Sequence, residues 1–338
     1  MSRNPLPQLD LFGETSDPAR RSHAVHPAQP DRHVLELAER LPAAIRLGTS
    51  SWHFPGWARL VYDHAAEERV LARDGLSAYA QHPLLRCVSL DRTFYAPMGV
   101  SQYRAYADQV PCGFRFMVKA PLRCTAAFLR GHGAAAPVAN PRFLDVGFAI
   151  EHFVAPCLDG LQDRAGPLVF QFPPLGREVT RRPEAFAARL GAFVGQLPRG
   201  AEYAIELRDH ALLGPAYLDM LGRTGARHCL SLHPRMPVAS EQARETGVDR
   251  AGALIVRWNL HAGFGYDEAK ARYRPFARLV DEDLPNRIAL ARLALAAVQR
   301  ADAVTIVVNN KAEGSAPLTL VKLAEQIVSM AGSDEARV

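Results

Sequence analysis

From Ile45 onward the chain alternates between two kinds of segment. Short apolar runs, often β-branched, are separated by longer stretches of helical composition. The short runs lie at 44–49, 87–91, 114–119, 168–172, 202–207, 228–232, 254–258 and 304–308. Each is apolar almost throughout, the pattern expected where both faces of a parallel strand are covered. Helices are expected over 76–81, 100–109, 138–161, 183–197, 215–224, 284–299 and 318–330, with the faintest pattern at 239–246. Eight strand–helix units predict an α/β fold with one (β/α)8 TIM-type barrel at 44–332. An open doubly wound sheet is the alternative, because periodicity does not show closure.

Residues 1–43 break this rhythm. Pro5, Pro7, Pro18, Pro27 and Pro30 are scattered among polar residues, and so composed a segment cannot offset its ordering entropy by burial. A flexible N-terminal tail is expected there. Within it Asp31 is placed to cap one short helix, whose apolar residues are Val34, Leu35, Leu37 and Leu41 and which Pro42 ends.

Composition narrows the classes. The chain is 48% apolar, too much for a disordered protein, and its 40 Lys+Arg against 35 Asp+Glu leave a charge of +5. That surplus is too mild to announce direct nucleic-acid binding. No apolar run of 18 residues suits a membrane span, and no signal-like stretch opens the chain, so a cytoplasmic protein is expected. Five cysteines, odd in number and never spaced Cys-x-x-Cys, argue against a disulfide framework and against structural zinc.

In a TIM-type barrel the chemistry gathers at the C-terminal strand ends. Here those ends carry Ser50 to His53, Asp91, Lys119, Gln171, Glu206 with Arg208, His233, Arg257 with Asn259 and His261, and Asn309 and Asn310. Glu206 and Arg208, two apart on one strand, point the same way and can form a bidentate pair. Glu206 is a candidate general base and Lys119 a candidate base, imine former or phosphate ligand. Arg208, Arg257 and Asn310 are candidate anion ligands and Gln171 a further ligand-binding candidate. Lys311 adds charge near Arg257 and the loop HAGFGY (261–266), and Ser315 is placed to cap the last helix, whose N-terminus can also bind an anion. Trp52 and Tyr95 can stack on a sugar or base. The scattered histidines follow no metal-ligand spacing, and no Gly-x-Ser-x-Gly elbow is present. Neither a metal nor a cofactor is expected.

The stretches GTSSWHFPGW (48–57), TFYAP (93–97), GFRFMVKAP (113–121), LVFQFPP (168–174), AIELRDH (204–210) and VVNNKAEGSAP (307–317) resemble the domain of unknown function 72, or YecE-like, family. The resemblance spans about residues 45–330 and implies a TIM-type barrel without naming a reaction. Lys119, Gln171, Glu206, Arg208, Arg257 and Asn310 match its pattern. Ser89 stands where the family commonly has Glu, Asp91 where it has Asn, and Ala126 where a His is usual. The usual Arg-x-His-Gly is stretched to Arg257…Gly263.

One more signal lies in the tail. Gln8-Leu9-Asp10-Leu11-Phe12 looks like the peptide that hooks bacterial replication and repair proteins onto the DNA sliding clamp, with Leu11 and Phe12 entering an apolar pocket, Gln8 making polar contacts and Leu9 a further partner-binding candidate. Two functions are therefore expected to compete. One is a barrel that holds a small anionic compound, phosphorylated or nucleotide-derived, with residues able to act upon it. The other is a non-catalytic replication or repair accessory recruited through residues 8–12.

Overall fold

A computed structural model describes residues 24–129 and 137–335. Eight parallel strands close a barrel: β1 (Ile45–Thr49), β2 (Leu85–Leu90), β3 (Arg115–Lys119), β4 (Ala165–Gln171), β5 (Tyr203–Glu206), β6 (Arg227–Leu232), β7 (Leu254–Trp258) and β8 (Val304–Val308). Neighbours follow chain order, and β1 closes on β8 with Ile45 opposite Val304. The doubly wound alternative is thereby excluded. β1 also approaches β2 closely enough that a Cβ on Gly48 would stand 2.0 Å from the Cys87 carbonyl oxygen.

Two apolar sets explain the continuous runs. Outward residues such as Val118, Phe170, Ile205, Leu230, Val256 and Ile306 pack beneath the helices in the main core. Cys87, Met117, Val169, Ala204, Cys229, Ile255 and Val307 form a separate cluster that fills the lumen. Strand side chains alternate, so the residue two places after each of these also faces inward. Those next residues are Ser89, Lys119, Gln171, Glu206, Ser231, Arg257 and Asn309, and all are polar. The lumen thus changes from an apolar plug to a polar floor within one step of the pleat.

Two expectations about local structure are corrected. The helix expected from 138 begins at Val146. Val138–Ala139 instead pairs with Phe128–Leu129 in a short antiparallel ribbon. Pro141 disfavours helical geometry at Asn140. The Asn140 amide donates to the Arg123 and Ala126 carbonyls at 2.8 and 2.7 Å, folding the segment back. Asp145 then caps the helix by accepting from the Phe148 amide at 2.9 Å.

The second concerns the N-terminal boundary. Residues 24–43 are docked on the barrel and are no part of a flexible tail. Pro27 bridges to Tyr62, the Ala28 amide donates to the Val61 carbonyl at 2.9 Å, and the expected helix forms at Arg32–Arg40. Asp31 makes no side-chain cap. Leu37 and Leu41 are buried in the main core, which also receives the last helix, Ala316–Glu335. We predict that Leu41→Ala lowers stability by about 2–5 kcal/mol, the usual cost of emptying a buried leucine site, read as a shift in denaturation midpoint.

Candidate functional site

The polar floor is a network of alternating charge. Glu206, wholly buried, lies between two arginines: its Oε1 is 2.5 Å from Arg208 Nη2 and its Oε2 3.0 Å from Arg257 Nε. Ser231 Oγ and Asn259 Nδ2 also donate to Oε1, at 3.0 and 3.1 Å. Arg257 reaches across the lumen and donates from Nη2 and Nη1 to Asp91 at 2.7 and 2.9 Å, and from Nη1 to Ser89 Oγ at 2.9 Å. Ser89 Oγ donates in turn to Asp91 Oδ1 at 2.7 Å. Ser89 and Asp91, two positions apart, thus present both their oxygens to Arg257 from the same face of the chain.

Burial alone would raise the Asp91 carboxyl, but the Arg257 guanidinium overcomes it and holds the group at about 2. Glu206 is likewise held below its ordinary value, with Arg208 and then Arg257 outweighing burial. Two carboxylates and two guanidiniums therefore cancel. The bidentate Glu206–Arg208 pair is not formed, because Glu206 divides its oxygens between two arginines. Arg257 has all three nitrogens turned to Asp91, Ser89 and Glu206, which makes it a brace of the floor. Arg208 keeps one buried nitrogen, Nη1, without a partner.

Lys119 joins this floor differently. Its ammonium sits 3.5 Å from the centre of the Phe94 ring and makes no salt bridge among the described residues. Burial lowers it to about 8, with Asp91 opposing and Arg257 adding to the shift. Gln171 stands opposite Glu206 in register.

Above the floor opens a cleft of about 730 Å³, walled by Phe54, Tyr95, Tyr266, Lys270, Arg274, Phe276, Asn309 and Lys311. A smaller recess of about 290 Å³, lined by Trp52, Leu90, Arg92 and Tyr106, shares Ser50, Ser51, His53, Asp91 and Tyr95 with it. Lys311 is buried against the cleft, its ammonium 4.3 Å from the Tyr266 ring centre. Burial and then the Lys270 charge lower it to about 8. His233 is brought down to about 4 by burial and by Arg208, so it is neutral at pH 7.

The other expected residues are distributed as follows. Tyr95 is 85% exposed at the rim, free to meet a ligand. Trp52 is a wall: its indole donates to the Leu71 carbonyl at 3.0 Å and packs edge-on against Tyr106. Asn310 turns away from the mouth. Its Oδ1 accepts from the Ala316 amide at 2.8 Å and the Trp57 indole at 3.2 Å, taking the capping part expected of Ser315. Asn309 faces the cleft in its place and donates to Ser50 Oγ at 2.8 Å. Tyr266, Lys270 and Arg274 were not expected. They lie on or just after the helix Tyr266–Tyr273, and the signal for them was the three cations Lys270, Arg272 and Arg274 following the Gly-x-Gly of 263–265. Gln8, Leu9, Leu11 and Phe12 lie outside the described residues. Among the described residues no three His, Cys, Asp or Glu side chains converge as a metal site, and no helix is long and apolar enough to cross a membrane.

Comparison with known proteins agrees with this architecture. A DUF72 family protein of Enterococcus faecalis is 17% identical, with 84% of this chain and 95% of that one covered, and superposes with a TM-score of 0.55. A DUF72 family protein of Thermotoga maritima is also 17% identical, with 85% and 99% covered and a TM-score of 0.52. At such identity the likeness is one of fold. No curated protein matches. The sequence model of the family described as Protein of unknown function DUF72 matches residues 46–336, nearly the whole barrel, and the chain belongs to that family.

Proposed function

We propose that the mouth binds a small anionic compound, phosphorylated or nucleotide-derived. The observation that carries this reading is the set of cations left over once the floor has neutralised itself. Lys119 and Lys311 have no anionic partner among the described residues, and Arg208 has a buried nitrogen to spare. A buried charge without a counter-charge is costly, and an anion arriving from solution would supply one. Lys270 and Arg274 on the cleft wall add to the same field, while Tyr95 and Tyr266 offer faces for a ring. Lys119 is the stronger candidate to carry a proton, since it titrates near neutrality. Glu206 lies in ionic contact with both Arg208 and Arg257, which suits it to bracing the floor more than to carrying a proton.

Titration with inorganic phosphate and with adenosine monophosphate tests the reading. Lys119→Met and Lys311→Met should each weaken binding about tenfold, the loss expected for one charge-assisted contact. Unchanged affinity in the double variant would sink the proposal.

A second reading rests on the sequence of the pentad Gln8–Phe12. We propose that it recruits the protein to a DNA sliding clamp. A peptide of residues 1–20 should bind a bacterial clamp, and replacing Leu11 and Phe12 with Ala should abolish the interaction.

A further inference from the structure

Lysine is scarce in this chain. There are four, at 119, 270, 311 and 322, against 36 arginines. Lys322 lies on the last helix and pairs with Glu325 at 2.9 Å. The other three gather at the barrel mouth. Arginine supplies nearly all the positive charge elsewhere, Lys322 excepted, so three amines gathered at the mouth point to chemistry that a guanidinium cannot perform.

We propose that Lys311 forms an imine with a small carbonyl compound bearing an anionic group, and that the anionic group rests against Lys270 and Arg274. This deepens the anion-binding reading and rests on it. Among the mouth lysines, Lys311 and Lys270 wall the large cleft, and of these two Lys311 is the buried one. Its ammonium makes no salt bridge among the described residues and lies against the Tyr266 ring. Lys270 and Arg274 face it from the helix Tyr266–Tyr273 and the residue after it, and Asp91 faces it from the end of β2. Crowding by like charges is a known way to make a lysine nucleophilic near neutral pH. At pH 7 about a tenth of an amine titrating near 8 is neutral, a few hundred times the fraction for an ordinary lysine.

The step balances without a co-reactant. The neutral Lys311 nitrogen attacks the carbonyl carbon, a C–N bond forms, and the π pair moves to oxygen. The two amine protons leave with that oxygen as water, and the nitrogen lone pair closes the C=N bond. No electrons are gained or lost.

Reductive trapping tests the inference. The full-length chain is incubated with pyruvate or dihydroxyacetone phosphate and sodium cyanoborohydride, which delivers hydride to the imine carbon and fixes it as a secondary amine. The expected result is one adduct per chain, heavier by the probe less one oxygen, mapped to Lys311. Neutral acetone should label about tenfold less. Lys311→Arg should abolish the adduct, and Lys322→Arg, away from the cleft, should leave both the adduct and phosphate binding intact. Absence of an adduct with both probes, an adduct at Lys119, even labelling of all four lysines, or undiminished labelling of Lys311→Arg would each overturn the inference. Loss of trapping with phosphate binding preserved in the unmodified chain removes the imine alone, whereas loss of phosphate binding removes the reading beneath it.

Discussion

Glu206→Ala will destabilise the barrel by about 3–5 kcal/mol, because removing one member of a buried ionic network leaves the others uncompensated. Here two guanidiniums lose their shared carboxylate at once, while Ser231 and Asn259 lose an acceptor. Urea unfolding should show the loss as a lower midpoint with an unchanged slope. A cost below about 1 kcal/mol, the range of surface pairs, would mean that the floor is hydrated and does not depend on its ion pairs. The same network predicts an acid limit. Asp91 is held at about 2 in the fold, below the ordinary carboxylate value of 3.8. Its contribution to stability is therefore complete above the unfolded value and is lost as pH falls through that window. Asp91→Asn should flatten the stability curve between those limits.

Sulfate affinity will fall steeply above pH 8. Lys119 and Lys311 both titrate at about 8, so beyond that value each surrenders the charge that attracts an anion. The fall should approach tenfold per pH unit for each lysine that contacts the ligand. Sulfate is the suitable probe because it does not change charge in this range. The Lys119→Arg, Lys311→Arg double variant should keep its affinity flat across the same range, and a wild-type curve equally flat would exclude both amines from the contact. Imine trapping at Lys311 must run the other way, rising with pH as the neutral amine accumulates. Stability carries a third signature. A lysine lowered in the fold binds fewer protons than its unfolded counterpart between about 8 and 10.5, so folding is favoured more strongly as pH rises through that interval.

The strands were legible because burial on both faces writes itself as continuous apolarity. β7 and β8 lie where the pattern puts them, and the faint helix pattern at 239–246 is a helix of those bounds. The floor was half legible. Stepping by two from Cys87, Cys229 and Val307 leads to Ser89, Ser231 and Asn309, an alternation any strand imposes. The motif drew attention to Asn310, one residue out of phase, and one residue turns a strand-end side chain from the lumen to the outer wall. What no local pattern reveals is partnership. Asp91 and Arg257 are 166 positions apart, and their contact exists because the barrel closes. Lys270 and Arg274 were hidden for another reason: Tyr266–Tyr273 is a polar helix with little apolar periodicity, so only the cations after the Gly-x-Gly marked it as the wall of a cleft.

The docking of residues 24–28 has a consequence for anything the N-terminus captures. His26 and Ala28 hydrogen-bond to the loop that follows β1, the loop whose Phe54 and Gly56 wall the cleft. The leash between Phe12 and Ala24 can stretch to at most about 43 Å at the chain's contour length. A clamp bound at the pentad would therefore ride beside the open end of the barrel, with DNA threaded through it close to the cleft. For anything fixed to that DNA, capture by the cleft would become an intramolecular event, so recruitment at the pentad would raise its effective concentration at the barrel mouth.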